Sequence, residues 1–486
     1  MIEIKERSTI ETKEFNLDYS TNPEAQKIHE NNNRGEKIKD ISDADVDRNV
    51  DDLGKYPVVY LDGVMIESTN VKKLELKNDG YIPYIYLEFS DPTGKLVDED
   101  FPLDNSIISI FKESSNEKLM AIKMDFKITD FTIIKGTSGE QLTFEIDAIV
   151  NIDDFYMMNF NSYESNSYDL LKKLSLEIGL GFASNIENTN DEMVWINPAN
   201  YYIEFMKDVV ENSYISDDTF LFGYLDFYYN FNYVDIEKQL TEDISEQANM
   251  LDKEKVSKDG KEDTVPLILT NKPDEDSTNL KINRYTLINS STNVNLTYGY
   301  RHRVTYYNKI EDGVKRYDID AISDDTDNAI VLKGQKENDK LYKDMVNGTW
   351  LGKIDTDNVH ENYLHSRTQN KLNLKYLQKL KMKIKMEKVN YSLYRFQKVA
   401  VELYNLGKMD ENETDNRKVD TTKNKGQSGA RQYDNKIINK LSGEWLITAI
   451  IIKYDLKEGN TQEITLVKRE LTDEYKFPGR EKTKDR

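Results

Sequence analysis

A chain of 486 residues with 66 Lys and Arg against 88 Asp and Glu, net −22, is long enough for about three domains. Its overall sign makes it a poor coat for nucleic-acid phosphates. The absence of cysteine excludes a disulfide framework, a thiolate metal site and a cysteine nucleophile. The charged share of 32% exceeds the usual ~25%, so the solvated surface is large. Thirty-one Tyr and 17 Phe suit broad, wet interfaces better than a small catalytic pocket.

The opening MIEIKERSTIETKEF has no apolar stretch after its charges, and no window reaches the ~18 apolar residues of a spanning helix. The expectation is a soluble chain made without a secretory signal and without a membrane segment. Residues 1–55 include HENNNRGEKIKDISDADVDRNVDD, which cannot bury a core of its own, and read as an extended arm.

From Tyr56 the sequence shifts to short β-like runs, YPVVYLDGVMI, VKKLELK, YIPYIYLEF, SIISIFK, MAIKMDFKITDFTII and EQLTFEIDAIV, punctuated by Gly, Pro, Asn and Asp. Alternation at Ile82, Tyr84, Tyr86 and at Leu142, Phe144, Ile146 predicts an antiparallel sheet or small barrel over 56–154. At Ser167 the period becomes helical, with Leu170, Leu171, Leu174 and Ile178 on one face and Gly179 and Gly181 as stops. A second helix near YYIEFMKDVVENSY, then a helix and strand within 214–236, predict an α/β insert that ends in a charged surface loop, 155–263 in all.

Strands resume with VPLILTN, INRYTLIN, NVNLTYGYRHRVTYYN and VKRYDIDAI, grouped here with the first β block over about 264–330. Residues 331–476 predict a helix at 362–380, a second β block and a polar insertion at 407–441, before a charged tail at 477–486.

The motifs that would carry chemistry fail at required positions. HENYLH, His360 to His365, is H-E-x-x-x-H; its histidines fall ~140° apart on a helix and so do not share a zinc-binding face. They read as ordinary surface histidines. DADVDR places Arg48 where a calcium loop needs Gly. GLGFAS reads as a helix C-cap, not a dinucleotide fingerprint, and GQSGA around Ser428 is not a nucleophile elbow. No catalytic, cofactor-binding or metal residues are assigned.

One charge feature stands out. Between Arg367 and Ala400 lie ten Lys and Arg and one acid, Glu387. Within LKMKIKMEK, Leu380, Met382, Ile384 and Met386 point one way and Lys381, Lys383 and Lys385 the other. These lysines, with Lys388, are the candidate interaction residues, expected to face acidic groups of a neighbouring strand, a subunit or a larger assembly ring.

Taken in order, YPVVYLDGVMIE with YIYLEFSDPTG, SYDLLKKLSLEIGLGF, WINPANYYIEFMKDVVENSYISDDTFLFGYLDFYYNFNYVDIE, NKLNLKYLQKLKMKIKMEKVNYSLYRFQKVAVELYN, SGEWLITAIIIKYDL and ITLVKREL resemble the baseplate hub of contractile-tailed phages. This is the tail-tube-to-spike adaptor, which is also similar to the N-terminal part of type VI secretion spike proteins. The resemblance spans roughly 56–472. It implies an α+β, mainly β fold with two tube-like antiparallel β-barrel domains and an α/β insert, in a homotrimer that forms a pseudo-six-fold ring. It further implies a structural, non-enzymatic virion protein assembled in the host cytoplasm, without cofactors. Its partners would be the tail tube protein, the central spike and baseplate wedge proteins, with genomic DNA passing through the lumen without sequence-specific binding. Competing classes are a wedge protein, a glycan-binding adhesin and a tail-associated peptidoglycan hydrolase.

Overall fold

The computed structural model describes residues 56–98, 101–112, 122–135, 142–241, 256–258, 261–263, 268–272, 281–299, 301–308, 312–320, 346–354, 359–386, 389–391, 393–405 and 437–469. The arm at 1–55, residues 407–436 of the polar insertion, the tail and Lys388 lie outside the described residues.

The first block comprises β1 (Val58–Leu61), β2 (Val64–Ile66), β3 (Val71–Asn78), β4 (Tyr84–Asp91), the short α1 (Lys95–Asp98), β5 (Ile107–Lys112), β6 (Ile122–Ile134) and β7 (Leu142–Val150). On β4 the buried set is Ile85, Leu87 and Phe89, while Tyr84 and Tyr86 are only half-buried. The expected alternation is present, but the aromatic face is the wet one; β-branched and apolar residues of the opposite parity pack the core with Phe144, Ile146 and Ala148 of β7. Each such side chain fully buried contributes roughly 1.5–3 kcal/mol.

The insert follows as β8 (Met158–Ser165), α2 (Ser167–Glu177), β9 (Gly181–Ser184), β10 (Met193–Tyr201), α3 (Tyr202–Asn212), β11 (Leu221–Leu225), β12 (Asn230–Asp235) and α4 (Ile236–Thr241). Leu170, Leu171, Leu174 and Ile178 are buried, as the helical spacing predicts. Gly179 takes φ 78° and donates to the Leu176 carbonyl while Leu180 donates to Ser175, the glycine cap expected from the sequence. No helix occupies 214–235. Instead Asp226 Oδ1 accepts from the amides of Tyr228 and Asn230, which closes the turn between β11 and β12, and the aromatics fill the core. β12 pairs with β9 in parallel and with β11 antiparallel.

The remaining elements are β13 (Val256–Lys258), β14 (Lys261–Asp263), β15 (Ile268–Thr270), β16 (Ile282–Asn289), α5 (Ser291–Tyr298), β17 (Arg301–Asn308), β18 (Gly313–Asp320), β19 (Val346–Ile354), α6 (Tyr363–Leu377), β20 (Leu380–Met386), β21 (Lys398–Glu402), β22 (Gly443–Asp455) and β23 (Gly459–Val467). The alternation in NVNLTY suggested a strand, but this segment is α5. Asn289 Oδ1 accepts the Ser291 amide at its start, and Gly299 ends it at φ 82°.

One expectation is corrected by the pairing. Strands β15 and β16 pair with β21 and β20 of the second block, not with the first; local periodicity does not encode a partner about a hundred residues away. The two β blocks join through β22 and β3, in the order β16-β20-β23-β22-β3-β4-β7-β6-β5-β1-β2, with β21 pairing β22 and β15. Among the described residues no pair closes either block on itself. Three further short sheets complete the described fold, β8 with β10, β13 with β14, and β17 between β18 and β19.

Candidate assembly interface

Every neighbouring pair in the eight-strand run from β16 to β6 is antiparallel. Its two faces differ in kind. One carries Met382, Ile384, Ile450, Ile452, Ile464, Leu76, Leu87 and Phe144, all buried in a core shared with α2 and α3.

The opposite face is charged, because residues opposed in register point the same way. Arg284, Thr286 and Ile288 of β16 lie opposite Lys385, Lys383 and Lys381, which lie opposite Glu463, Thr465 and Val467 of β23. Farther along, Lys453 opposes Glu75, Glu75 opposes Tyr86, Tyr86 opposes Asp147 and Asp147 opposes Asp130. The face therefore runs from basic at β16 and β20, through mixed charge at β22 and β3, to acidic at β7 and β6.

The sequence-assigned lysines divide by environment. Lys385 Nζ is 2.6 Å from Glu458 Oε2. Lys381 Nζ donates to Gln378 Oε1 at 3.4 Å; burial, followed by the charges of Lys375 and Lys383, lowers its pKa. Lys383 is exposed between Thr286 and Thr465. Three like charges on alternate residues repel, and the structure relieves this by spreading them over an acid, an amide and solvent.

Glu75 is the hub of the mixed region, which sequence reading did not single out. Its carboxylate is 2.8 Å from Lys73, 3.0 Å from Lys77 and 3.7 Å from Lys453, and Lys453 also reaches Glu463 at 2.8 Å. Partial burial pushes the Glu75 carboxyl up, but hydrogen bonds from Lys73 and Lys77 and the charge of Lys453 outweigh it and hold it at about 2. A depressed carboxyl stabilises the fold above its ordinary pKa of 4.5 and loses that contribution as pH falls through the range toward 2. Glu75→Gln should therefore flatten the acid limb of a stability–pH curve between pH 4.5 and 2 and cost roughly 1–2 kcal/mol at pH 7, read from urea midpoints. An unchanged acid limb would show that Glu75 is not the group responsible.

Two stretches of strand have a free side among the described residues, the β16 edge and the part of β6 that β5 does not cover. β16 pairs only with β20. Residues 129–134 of β6 extend past the end of the β5 ladder at Lys127 and pair only with β7. Leu287 on β16 is 38% exposed and Ile134 on β6 44%; beside the latter, Phe101 packs edge-on to Phe131 at 5.5 Å and Leu103 is 75% exposed. Exposed apolar edges of this length invite strand addition.

The histidines of HENYLH are not on the surface as the sequence reading had them. His360 and His365 are 7% and 4% exposed, inside an aromatic cluster at the start of α6. Among the described residues no three His, Cys, Asp or Glu are grouped to hold a metal ion, and no helix is long and apolar enough to cross a membrane.

No family model matches the sequence, and no curated protein matches it. Solved structures do resemble the fold. A tail protein from Neisseria meningitidis MC58 is similar at 8% identity and TM-score 0.43, over 85% of this chain and 96% of that one. The 43 kDa tail protein of prophage MuSo2 from Shewanella oneidensis is similar at 9% identity and TM-score 0.46, over 85% and 98%. An E. coli component of the type VI secretion system is similar at 9% identity and TM-score 0.36, over 84% and 75%.

Proposed function

We propose that this chain is a subunit of the central hub of a contractile tail baseplate, a homotrimeric ring that joins the six-fold tail tube to the three-fold spike. The observation that supports this reading is the antiparallel eight-strand run from β16 to β6 within the larger sheet, with β16 unpaired on its outer side and β6 unpaired by β5 beyond Lys127. Because its strands alternate and are even in number, β16 and β6 run in opposite directions. The β6 edge of one copy and the β16 edge of the next can therefore pair antiparallel under a simple rotation, a head-to-tail contact of the kind that closes rings.

The faces also match. Pairing the edges sets Tyr285 and Leu287 beside Phe131 and Ile133 on the core side, and Arg284 and Thr286 beside Asp130 and Thr132 on the charged side. The basic end of one copy thus meets the acidic end of its neighbour, which favours the correct partner and register. In such a ring the insert lies outside and the charged face lines the channel. Its lysines share that wall with carboxylates, so the lumen offers DNA no purely cationic track on which to stick. The two β blocks of each copy would supply six similar units to a tube and three to a spike. Tube, spike and wedge proteins are the partners in this reading, and the chain performs no catalysis.

Mass measurement at micromolar concentration tests the ring. The wild-type chain should have the mass of three copies, and Leu287→Lys with Ile134→Lys should give a folded chain with the mass of one, since charges on sheet edges block strand addition. Charge reversal of Lys381, Lys383 and Lys385 to Glu should weaken the ring less severely, and less in high salt, where the attraction is already screened. A folded wild-type monomer, or a trimer that both edge lysines leave intact, contradicts the proposal.

A further inference from the structure

The buried histidine pair has no part in the ring contact, and its surroundings give it a separate role. His360 Nε2 donates to the Asn212 carbonyl at 2.9 Å, while its Nδ1 is buried without a hydrogen-bond partner. His365 Nδ1 is 3.4 Å from the Tyr306 hydroxyl, and its Nε2, also buried without a hydrogen-bond partner, lies 3.8 Å from Asp217 Oδ1. The His365 ring stacks on Tyr317 at 4.5 Å and meets Tyr214 edge-on at 5.6 Å.

These rings come from three parts of the chain. Tyr306 and Tyr317 belong to β17 and β18, Tyr214 and Asn212 to the insert, and the histidines to the approach and first turn of α6. Tyr317 also donates to the Asp217 carbonyl at 3.0 Å, so His365 is the centre of the contact that holds the β17–β18 hairpin on the insert and α6. The charged groups facing the pair are Asp191 and Asp217 from the insert, Glu361 before α6, and Lys315 from β18, the last two joined at 2.8 Å.

We propose that this cluster is an acid-sensitive latch: protonation of His365 releases the β17–β18 hairpin from the insert and α6. A second proton would charge a ring that is 4% exposed and whose Nε2 has no hydrogen-bond partner; Asp217, 3.8 Å away but itself 59% exposed, answers that charge only in part, whereas in the open state water solvates both nitrogens. Burial lowers the pKa of His365 to about 4, the Asp217 charge opposing the shift only in part, and burial also lowers that of His360. The sign follows: the open state binds the proton more tightly, so closure is strongest above pH 6.5 and weakens as pH falls from 6.5 toward 4.

The test is hydrogen exchange of residues 301–320 in the full chain at pH 7 and pH 5.5, the latter still above the range where so acidic a chain nears neutrality. Corrected for intrinsic rates, opening should rise about eightfold in the wild type, and stay within about twofold in His365→Phe, which keeps a ring but cannot titrate. Constant protection in the wild type, or the same rise in the variant, overturns the latch. With only four histidines in the chain, ring titration by NMR supplies a second readout if the variant does not fold. A His365 midpoint well below 6.5 supports the latch, and a midpoint near 6.5 with the hairpin closed contradicts it.

Discussion

Arg395→Met should destabilise the chain by about 3–5 kcal/mol, the cost typical of stranding the partners of a buried charge. Arg395 is 3% exposed, and its guanidinium joins three parts of the fold. Nε donates to the Thr448 carbonyl at 2.8 Å, and Nη1 donates to Asn78 Oδ1 at 3.0 Å and to the Gly80 carbonyl. Its Cζ lies 4.6 Å from the ring centre of Tyr224, 5.3 Å from Phe396 and 5.4 Å from Phe222. It thus ties the β3–β4 turn of the first block, β11 of the insert and β22 of the second. Burial lowers its pKa to about 10, which leaves it charged at neutral pH. Met fills similar volume, so little packing is lost; the cost comes from three acceptors left without a donor. Arg395→Lys keeps the charge but loses the planar fork and should cost less, about 2 kcal/mol. Urea midpoints measure both, and a Met variant within 1 kcal/mol of wild type would show that water replaces the guanidinium at no cost.

Asp191→Ala should have an effect of similar size, about 3–5 kcal/mol, felt first in the insert. Asp191 is fully buried. It accepts the Ser167 amide at 2.9 Å, the Ser167 hydroxyl at 2.6 Å and the Tyr214 amide at 2.9 Å. Ser167 opens α2, where an unpaired amide is normally left to solvent and a negative charge is favoured by the helix dipole. The same hydroxyl is 3.1 Å from Tyr233 on β12, so one carboxylate aligns α2, the exit from α3 and the centre of a sheet. Asp191→Asn retains the shape but turns an amide donor toward N–H groups, and should cost roughly 2–3 kcal/mol. Thermal unfolding of both variants, with hydrogen exchange across 167–235, measures the effect. Unfolding that leaves the insert protected would show that the carboxylate does not align it.

How much of this was legible in the sequence depends on the range of the interaction. α2 was, because Leu170, Leu171, Leu174 and Ile178 repeat at helical spacing. The two faces of β20 were, because its alternation is strict. The polarity of the whole charged face was not, since it exists only when strands as distant as β3 and β22 are paired. The placement of β15 and β16 failed for the same reason. Residues 293–298 alternate like a strand, yet a local bond from Asn289 and a glycine stop set them as α5. Arg395 was counted with the basic stretch, although its place within YSLYRF, flanked by aromatics, was a signal that it is buried. The histidines read as surface residues because the rings that bury them, from Trp195 to Tyr317, are distant in sequence.

The central claim concerns position as well as mass, and a reconstruction of a tail particle containing this chain tests it most directly. Three copies in a closed ring on the tail axis, between tube and spike, with β6 of each against β16 of the next and the Lys383 face on the channel, is the predicted result. Copies placed off the axis, in a wedge or a peripheral fibre, would contradict it.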